Sequence, residues 1–554
     1  MAQEKLQVIP LGGLGEFGMN CLAIRWQDEI IVIDAGLMFP EEELLGVDIV
    51  VPDISYLIEN RSKVKAILLT HGHEDHIGGL PWILAELNVP VYGTEFTLAY
   101  VEGKLEEHGL LDDADMIEML PGRRFTLGAF SVMPIRVTHS LVDCVALAIH
   151  TPIGVLLHTG DFKIDLSPPD GKAFDLQAFA ELGKQGVLAL LQDSTNVDRH
   201  GYTPSEVAVR PRLDEIFAQT KKKLFFSCFS SSIHRIGIAL DLAKKHGRKV
   251  AMIGRSIDNS SEIAQDLGYL DVPNGLIINP SQIRDFPDNK LLLMISGTQG
   301  EPMSALSRAA VNNHKHAHIN AGDTVLLSSR VIPGNEKGIF RMIDHLCRRN
   351  AEVIYDDGAS GLIHVSGHGS QDELRMMIGL VRPKFFIPVH GDYRHLKKHI
   401  EVASGMGIAE QCILLEDGDV LEMDRNTAQK NGKVNTGRIC IDSGGDTQDV
   451  VEDIIIRDRK HLSEDGIVLP IIGINKRSGR VEGVPEIVTR GFAAAEEALI
   501  AEARQIVMRT LDDSSAEEKS DYGVIKEKIR SDLKRYIQKN TGRRPLIMPV
   551  ILEI

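Results

Sequence analysis

The chain has 554 residues, 43% hydrophobic and 25% charged, which is ordinary for a soluble globular protein and too long for one core, so about two to four domains are expected. Its formal net charge of -17 argues against indiscriminate nucleic-acid binding but not against a local basic or metal-lined channel, because net charge is not field distribution. No apolar run approaches the roughly eighteen residues that span a bilayer, Met1 to Leu6 carry no signal-peptide pattern, and the six cysteines form no CxxC pair, so a membrane span and a disulfide framework are excluded and a cytoplasmic location is expected.

The opening reads as a strand from Leu6 to Leu11 followed by Gly13-Leu14-Gly15-Glu16-Phe17-Gly18, which fits GxGxxG, with Asp34 downstream. The dinucleotide-binding reading fails on context. Met19 to Trp26 and Glu29 to Ile33 read as two more strands and leave no room for the helix that would hold a pyrophosphate. The glycines serve tight turns, and Asp34 ends a strand where it can orient a metal ligand without binding the ion.

Val64 to Thr70 is an apolar, branched run that reads as a buried strand, and Ile77 to Leu84 reads as the start of a helix. Between them stands His71-Gly72-His73-Glu74-Asp75-His76. Imidazoles two apart face the same way off an extended segment, whereas adjacent Asp75 and His76 diverge, so one turn can serve two neighbouring cations. Four ligand-type side chains within six residues at a strand end do not fit a plain solvated loop. The same arrangement recurs twice: Val132 to Thr138 leads into His139, and Gly154 to Gly160 leads into Asp161, whose two oxygens can bridge a pair of ions. His150 and His158 lie within strands and read as structural.

From about 211 to 355 the pattern alternates between helix and strand, the mark of an inserted α/β domain. Ser230-Ser231-Ser232-Ile233-His234-Arg235 follows a strand at a helix start, where a phosphate site and a plain serine cap are both open. His314, His316 and His318 alternate like a metal site, but no strand end precedes them, and they read as a non-catalytic loop. His364-Val365-Ser366-Gly367-His368 offers a hydroxyl, backbone N–H groups and two imidazoles to one anion. Turns and short strands fill about 410 to 445. Beyond them, Ile454 to Ile456, Ile467 to Ile474 and Ile547 to Leu552 read as strands, and Ala493 to Leu511 and Val524 to Gln538 as helices.

These motifs together resemble the metallo-β-lactamase superfamily: HxHxDH at 71 to 76, the next histidine at His139 and the bridging aspartate at Asp161. Asp193 in Leu191 to Asn196, the stretch His364 to His368, and Pro388-Val389-His390-Gly391-Asp392 narrow the resemblance to the β-CASP nucleases and, within them, to bacterial ribonuclease J. Gly12 to Asn20, Pro333 to Glu336 and Pro485 to Phe492 also resemble that family, so the likeness covers nearly the whole chain.

The resemblance implies an α/β fold: a metallo-β-lactamase αββα sandwich (1–210, first part) with an inserted β-CASP domain (211–355), a return plus linker (356–445) and a small C-terminal α/β domain (446–554). Carried over by position, His71, His73 and His139 would hold one ion, Asp75, His76 and His390 the other, and Asp161 would bridge them. An imidazole-rich, carboxylate-bridged set without thiolates suits two Zn²⁺, with Mn²⁺ as the alternative, and a pair roughly 3.5 to 4 Å apart suits in-line phosphoryl displacement. The 364 to 368 pocket would take substrate phosphate, with Ser232 and His234 as partners from the inserted domain. His368 would act as general acid, held by Asp193. Gly46, Asp48 and Asp442 match positions of a structural cation, for which oxygen ligands favour Ca²⁺.

The implied activity is 5′-to-3′ exonucleolytic and endonucleolytic cleavage of RNA in maturation and decay, by a homodimer or homotetramer with other RNA-decay proteins as candidate partners. The rivals are a hydrolase of small substrates on the same fold and a catalytically inactive RNA-binding scaffold.

Overall fold

A computed structural model describes the chain except residues 1–4, 42–43, 45, 302, 333, 443–448, 476–480, 493–496, 515–521 and 554. Pro333, the end of the expected linker and the first turn of the expected helix from Ala493 lie outside the described residues. The chain divides into two compact units, Met1–Phe39 with Val50–Ile439, and Pro40–Ile49 with Cys440–Ile554.

Among the described residues of the first unit, an eight-stranded sheet runs Ala428–Lys433, Asp419–Met423, Leu6–Gly12, Cys21–Trp26, Glu29–Ile33, Val64–Leu68, Val91–Gly93, Met116–Glu118. A seven-stranded sheet runs Gln411–Cys412, Phe385–Val389, Val187–Asp193, Gly154–His158, Val145–Thr151, Phe130–Arg136, Phe125–Leu127. Successive strand residues point to opposite faces, and both faces of each sheet are apolar. Ile31, Ile33, Ala66 and Leu68 of the first sheet meet Leu147, Ile149, Leu156 and Leu191 of the second in one core. Ile30, Val32 and Ile67 instead pack outward on helix residues Leu80, Ile83, Val101 and Leu105. On the far side, Ala146, Ala148, Leu157 and Leu190 pack on Phe179, Leu182, Leu374 and Met377. This is the four-layer αββα sandwich.

The inserted lobe is a parallel five-stranded sheet in the order Lys249–Ile253, Leu291–Ile295, Leu224–Ser227, Thr324–Leu327, Glu352–Ile354. Helices Arg210–Gln219, Ile233–Lys245 and Arg255–Asp266 cover one face, and Ala305–Ala310 and Glu336–Arg348 the other.

In the second unit, Ile467–Ile474 pairs with Val481–Arg490, Leu546–Ile547 and Val550–Glu553, and helices Glu497–Asp512 and Tyr522–Thr541 bury Val507, Ile525, Ile529 and Leu533 against that sheet. Two expectations fail here. Ile454 to Ile456 are not a strand but the start of helix Asp453–Asp465, with Ile454 and Ile455 exposed; the helix-favouring Arg, Lys, Leu and Glu that follow outweigh three β-branched residues. The last strand is split at Met548-Pro549, because Pro549 has no N–H for the ladder.

Candidate metal centre

Gly154–His158, Val187–Asp193 and Phe385–Val389 are parallel neighbours, with His158 opposite Leu191 and Asp193 opposite Val389. Their C-terminal ends therefore deliver Asp161, Asp193 and His390 to one edge of the sheet. Val64–Leu68 of the facing sheet ends there too, and the turn at 71 to 76 closes into the short helix Glu74–Ile77.

Two donor sets match the expected ion pair, His71, His73, His139 and Asp161, and Asp75, His76, Asp161 and His390, each with its ligand atoms within 4.8 Å of one another; Asp161, Asp193, His368 and His390 form a third, overlapping group. His73 Nδ1 lies 3.0 Å from His71 Nε2 and 3.2 Å from His139 Nε2. His390 Nε2 lies 3.2 Å from Asp75 Oδ2. A single oxygen, Asp161 Oδ2, stands 3.3 Å from His76 Nε2, 3.6 Å from both His71 and His390 Nε2, and 3.8 Å from His139 Nε2. Asp161 is thus the member common to both sets.

The outward ring nitrogens are tied in turn, which fixes tautomer and ring orientation. His71 Nδ1 lies 3.1 Å from Thr70 Oγ1, and His76 Nδ1 2.8 Å from Asp34 Oδ2, the orienting role expected of that aspartate. His139 Nδ1 donates to the Gly367 carbonyl at 2.8 Å, and His390 Nδ1 lies 2.8 Å from Thr195 Oγ1. Asn20 Nδ2 donates to the Asp75 carbonyl at 2.9 Å. Asp34 and His390 both hold positive φ, at 62° and 57°, a conformation sparsely populated outside glycine and paid for here by the bonds around it.

Burial pushes His71 and His139 well below the ordinary imidazole range and His73 to about 4, so these three are neutral and have lone pairs to give. At His76 and His390 burial acts the same way but is outweighed by carboxylates, Asp161 foremost, which hold His76 well up and His390 at about 9. Burial would likewise raise Asp161, yet His390 and His76 keep it ionised. The second set thus carries excess buried negative charge that demands positive charge among its members, which is the chemistry of a divalent-cation site.

Beside it, His368 Nδ1 lies 2.8 Å from Asp193 Oδ2, and its Nε2 3.9 Å from Asp161 Oδ2. Burial opposes protonation of His368, but Asp193 and then Asp161 raise it above the usual value. Along 364 to 368 burial alternates: Val365 and Gly367 are buried, whereas His364, Ser366 and His368 are partly open. Ser366 Oγ accepts from Asn196 Nδ2 at 2.8 Å and from the His368 N–H at 3.1 Å. His364 is driven to about 3 by burial, then by Arg235, with Lys163 and Arg330 adding to it. Glu206, which pairs with both Arg235 and Lys163, acts in the opposite sense.

The two partners expected from the inserted lobe are both buried. Ser232 is buried at a helix start without a side-chain cap bond, and buried His234 turns its Nε2 to within 3.4 Å of Asp170. Arg235, one residue on, is the group that reaches His364, with its Nη1 3.5 Å from His364 Nδ1. Arg235 also donates to Glu206 and to the Ser328 and Ile363 carbonyls. Nothing in the local sequence marks Glu206 as its partner. His314 Nδ1 accepts from the backbone N–H groups of His316 and Ala317, so it shapes a loop. At the outlying oxygen set, Arg459 Nη1 donates to the Gly46 carbonyl at 2.8 Å and Nη2 lies 3.0 Å from Asp442 Oδ2, so a guanidinium stands at two of the three groups proposed for a cation; the Asp48 N–H donates to Ile441 O.

Family models match along the chain: the metallo-beta-lactamase superfamily over 14–195, the ribonuclease J beta-CASP domain over 221–346, a Zn-dependent metallo-hydrolase RNA specificity domain over 361–413, and the ribonuclease J C-terminal domain over 454–554. Ribonuclease J of Thermus thermophilus is 42% identical over 100% of this chain and 96% of its own length. Ribonuclease J of Synechocystis sp. is 40% identical over 98% of this chain and 86% of its own, and ribonuclease J2 of Bacillus subtilis 39% identical over 100% and 99%. A crystal structure of an Enterococcus faecalis protein of unknown function aligns with a TM-score of 0.55 over 76% of this chain and 100% of that one at 17% identity, a likeness of fold alone.

Proposed function

The chain belongs to the ribonuclease J family, and from that premise we propose that it hydrolyses RNA phosphodiesters with two divalent cations, advancing 5′ to 3′ from 5′-monophosphate ends and also cutting internally, in RNA maturation and decay. The observation that carries this reading is the pair of donor sets sharing Asp161 Oδ2, with the His368–Asp193 pair beside them.

The imidazole and carboxylate donors, with no thiolate among them, favour Zn²⁺, with Mn²⁺ as the alternative. Bound there, the cations supply Lewis-acid polarisation of the scissile phosphate and activation of water. The chain's own residues do the rest. Asp193 accepts from His368 and keeps its imidazolium at hand, so His368 can give a proton to the leaving 3′ oxygen. Ser366 has both acceptor positions filled and its hydroxyl proton free for a terminal phosphate. His364, kept neutral, adds a further N–H without needing a counter-charge.

For the second unit, the exposed Ile454, Ile455, Val484 and Leu552 support self-association to a homodimer or homotetramer, or docking of other RNA-decay proteins. Among the described residues no helix is long and apolar enough to cross a membrane; the cytoplasmic location is part of the proposal, as the place where an enzyme of RNA maturation and decay meets its substrate. A structural Ca²⁺ at Gly46, Asp48 and Asp442 requires Arg459 to release two of those groups.

The test is metal-dependent hydrolysis of end-labelled RNA by the full chain and by Asp161→Ala. The variant should lose cleavage while keeping its fold and most RNA binding. Near-unaltered turnover at saturating metal would overturn the site, and RNA binding without hydrolysis in the unaltered chain would favour the inactive scaffold.

A further inference from the structure

Of the five histidines in the two donor sets, four have their outward nitrogens held by groups of the sandwich: Thr70, Asp34, the Gly367 carbonyl and Thr195. His73 differs. Its Nδ1 faces His71 and His139, and its Nε2 lies 3.1 Å from Ser231 Oγ, 158 positions away in the inserted lobe.

Ser231 sits in the turn between strand Leu224–Ser227 and helix Ile233–Lys245. The turn is closed by the Ser232 N–H on the Phe229 carbonyl at 3.0 Å and the Ile233 N–H on the Ser231 carbonyl at 2.9 Å. The helix behind it is anchored by buried Arg235, which bonds Glu206 of the sandwich and the carbonyls of Ser328 and Ile363. The hydroxyl is thus carried on a braced support, not on a free loop. A ring that gives Nδ1 to a cation keeps its proton on Nε2, and Ser231 Oγ is the acceptor that this proton meets.

We propose that Ser231 is a positioning residue for the first metal position: the inserted lobe's hydroxyl accepts the Nε2–H of His73, so the affinity of the His71, His73 and His139 set depends on a group outside the sandwich that carries it. The inference rests on the two-metal reading. Losing such a bond costs about 10- to 100-fold in affinity for the ion concerned. The Asp75, His76 and His390 set makes no contact with Ser231 and keeps its own affinity.

The experiment titrates metal-stripped full-length protein with Zn²⁺ against a chromophoric chelator, and in parallel with Co²⁺, whose d–d spectrum reports each site's geometry. Ser231→Ala should weaken one of two sites by about 10- to 100-fold, leave the other within about twofold, and alter the Co²⁺ spectrum of the weakened site. Ser231→Thr, which keeps a hydroxyl, should restore both. Two unchanged affinities in Ser231→Ala, or an equal loss in Ser231→Thr, would overturn the role of the hydroxyl while leaving the two-metal reading in place. Fewer than two sites in the unaltered protein would overturn that reading and this inference with it.

Discussion

Ser366→Ala removes a single donor from the pocket proposed to hold the 5′ end of RNA. The Ser366 oxygen already accepts from Asn196 Nδ2 at 2.8 Å and from the His368 N–H at 3.1 Å, so its proton is the part left for a ligand. Structurally, Asn196 Nδ2 still donates to the His368 carbonyl at 2.8 Å, while its other N–H and the His368 N–H lose their acceptor, at about 1 kcal/mol each. A donor to a charged phosphate is worth about 1.5 to 3 kcal/mol, or about tenfold to a hundredfold in kcat/KM. The assay compares 5′-monophosphate, 5′-triphosphate and 5′-blocked RNAs of one sequence. The unaltered enzyme should degrade the monophosphate faster than the triphosphate, and the variant should lose most of that advantage while internal cutting of the blocked RNA persists. Equal rates on both ends in the unaltered enzyme, or an unchanged preference in Ser366→Ala, would refute the anchor.

Asp193→Asn removes the carboxylate that raises His368 against the pull of burial, so the imidazole should lose its proton at lower pH; the basic limb of kcat against pH should move toward acid, and an unmoved limb would exclude His368 as the proton donor. Burial favours the neutral form of Glu206, but Arg235 outweighs it and lowers the carboxyl from 4.5 to about 2 in the folded chain. A depressed acid contributes stability above its unfolded value and loses it as pH falls through the folded one, so about 3 kcal/mol should disappear between about pH 4.5 and 2. Glu206→Gln, which leaves Arg235 buried and unpaired, should cost about 3 to 5 kcal/mol in urea unfolding at pH 7, with the gap to the unaltered protein narrowing as the pH is lowered. For the outlying oxygen set, Arg459→Ala removes the guanidinium from the Gly46 carbonyl and from Asp442, so added Ca²⁺ should raise the Tm of this variant more than that of the unaltered chain.

The sequence by itself marked the candidate metal ligands, because each stands where an apolar strand gives way to a turn, and the near-continuous apolar runs of strands buried on both faces make such ends visible one segment at a time. The same local logic rejected a dinucleotide site at Gly13 to Gly18, and the donors of His364 to His368 were legible because they stand within five consecutive residues. Local logic misled at Ile454 to Ile456, where three β-branched residues start a helix set by the residues after them. What holds the ligands was not legible. Ser231 reaches His73 across 158 positions, Thr195 reaches His390 across 195 and the Gly367 carbonyl reaches His139 across 228. Arg235 rather than His234 reaches His364, because successive helix residues point about 100° apart and only packing decides which one faces it. Hydrogen bonds between distant segments leave no periodic trace in either segment, so these partners, and the guanidinium set against Gly46 and Asp442, were decided by the tertiary structure alone.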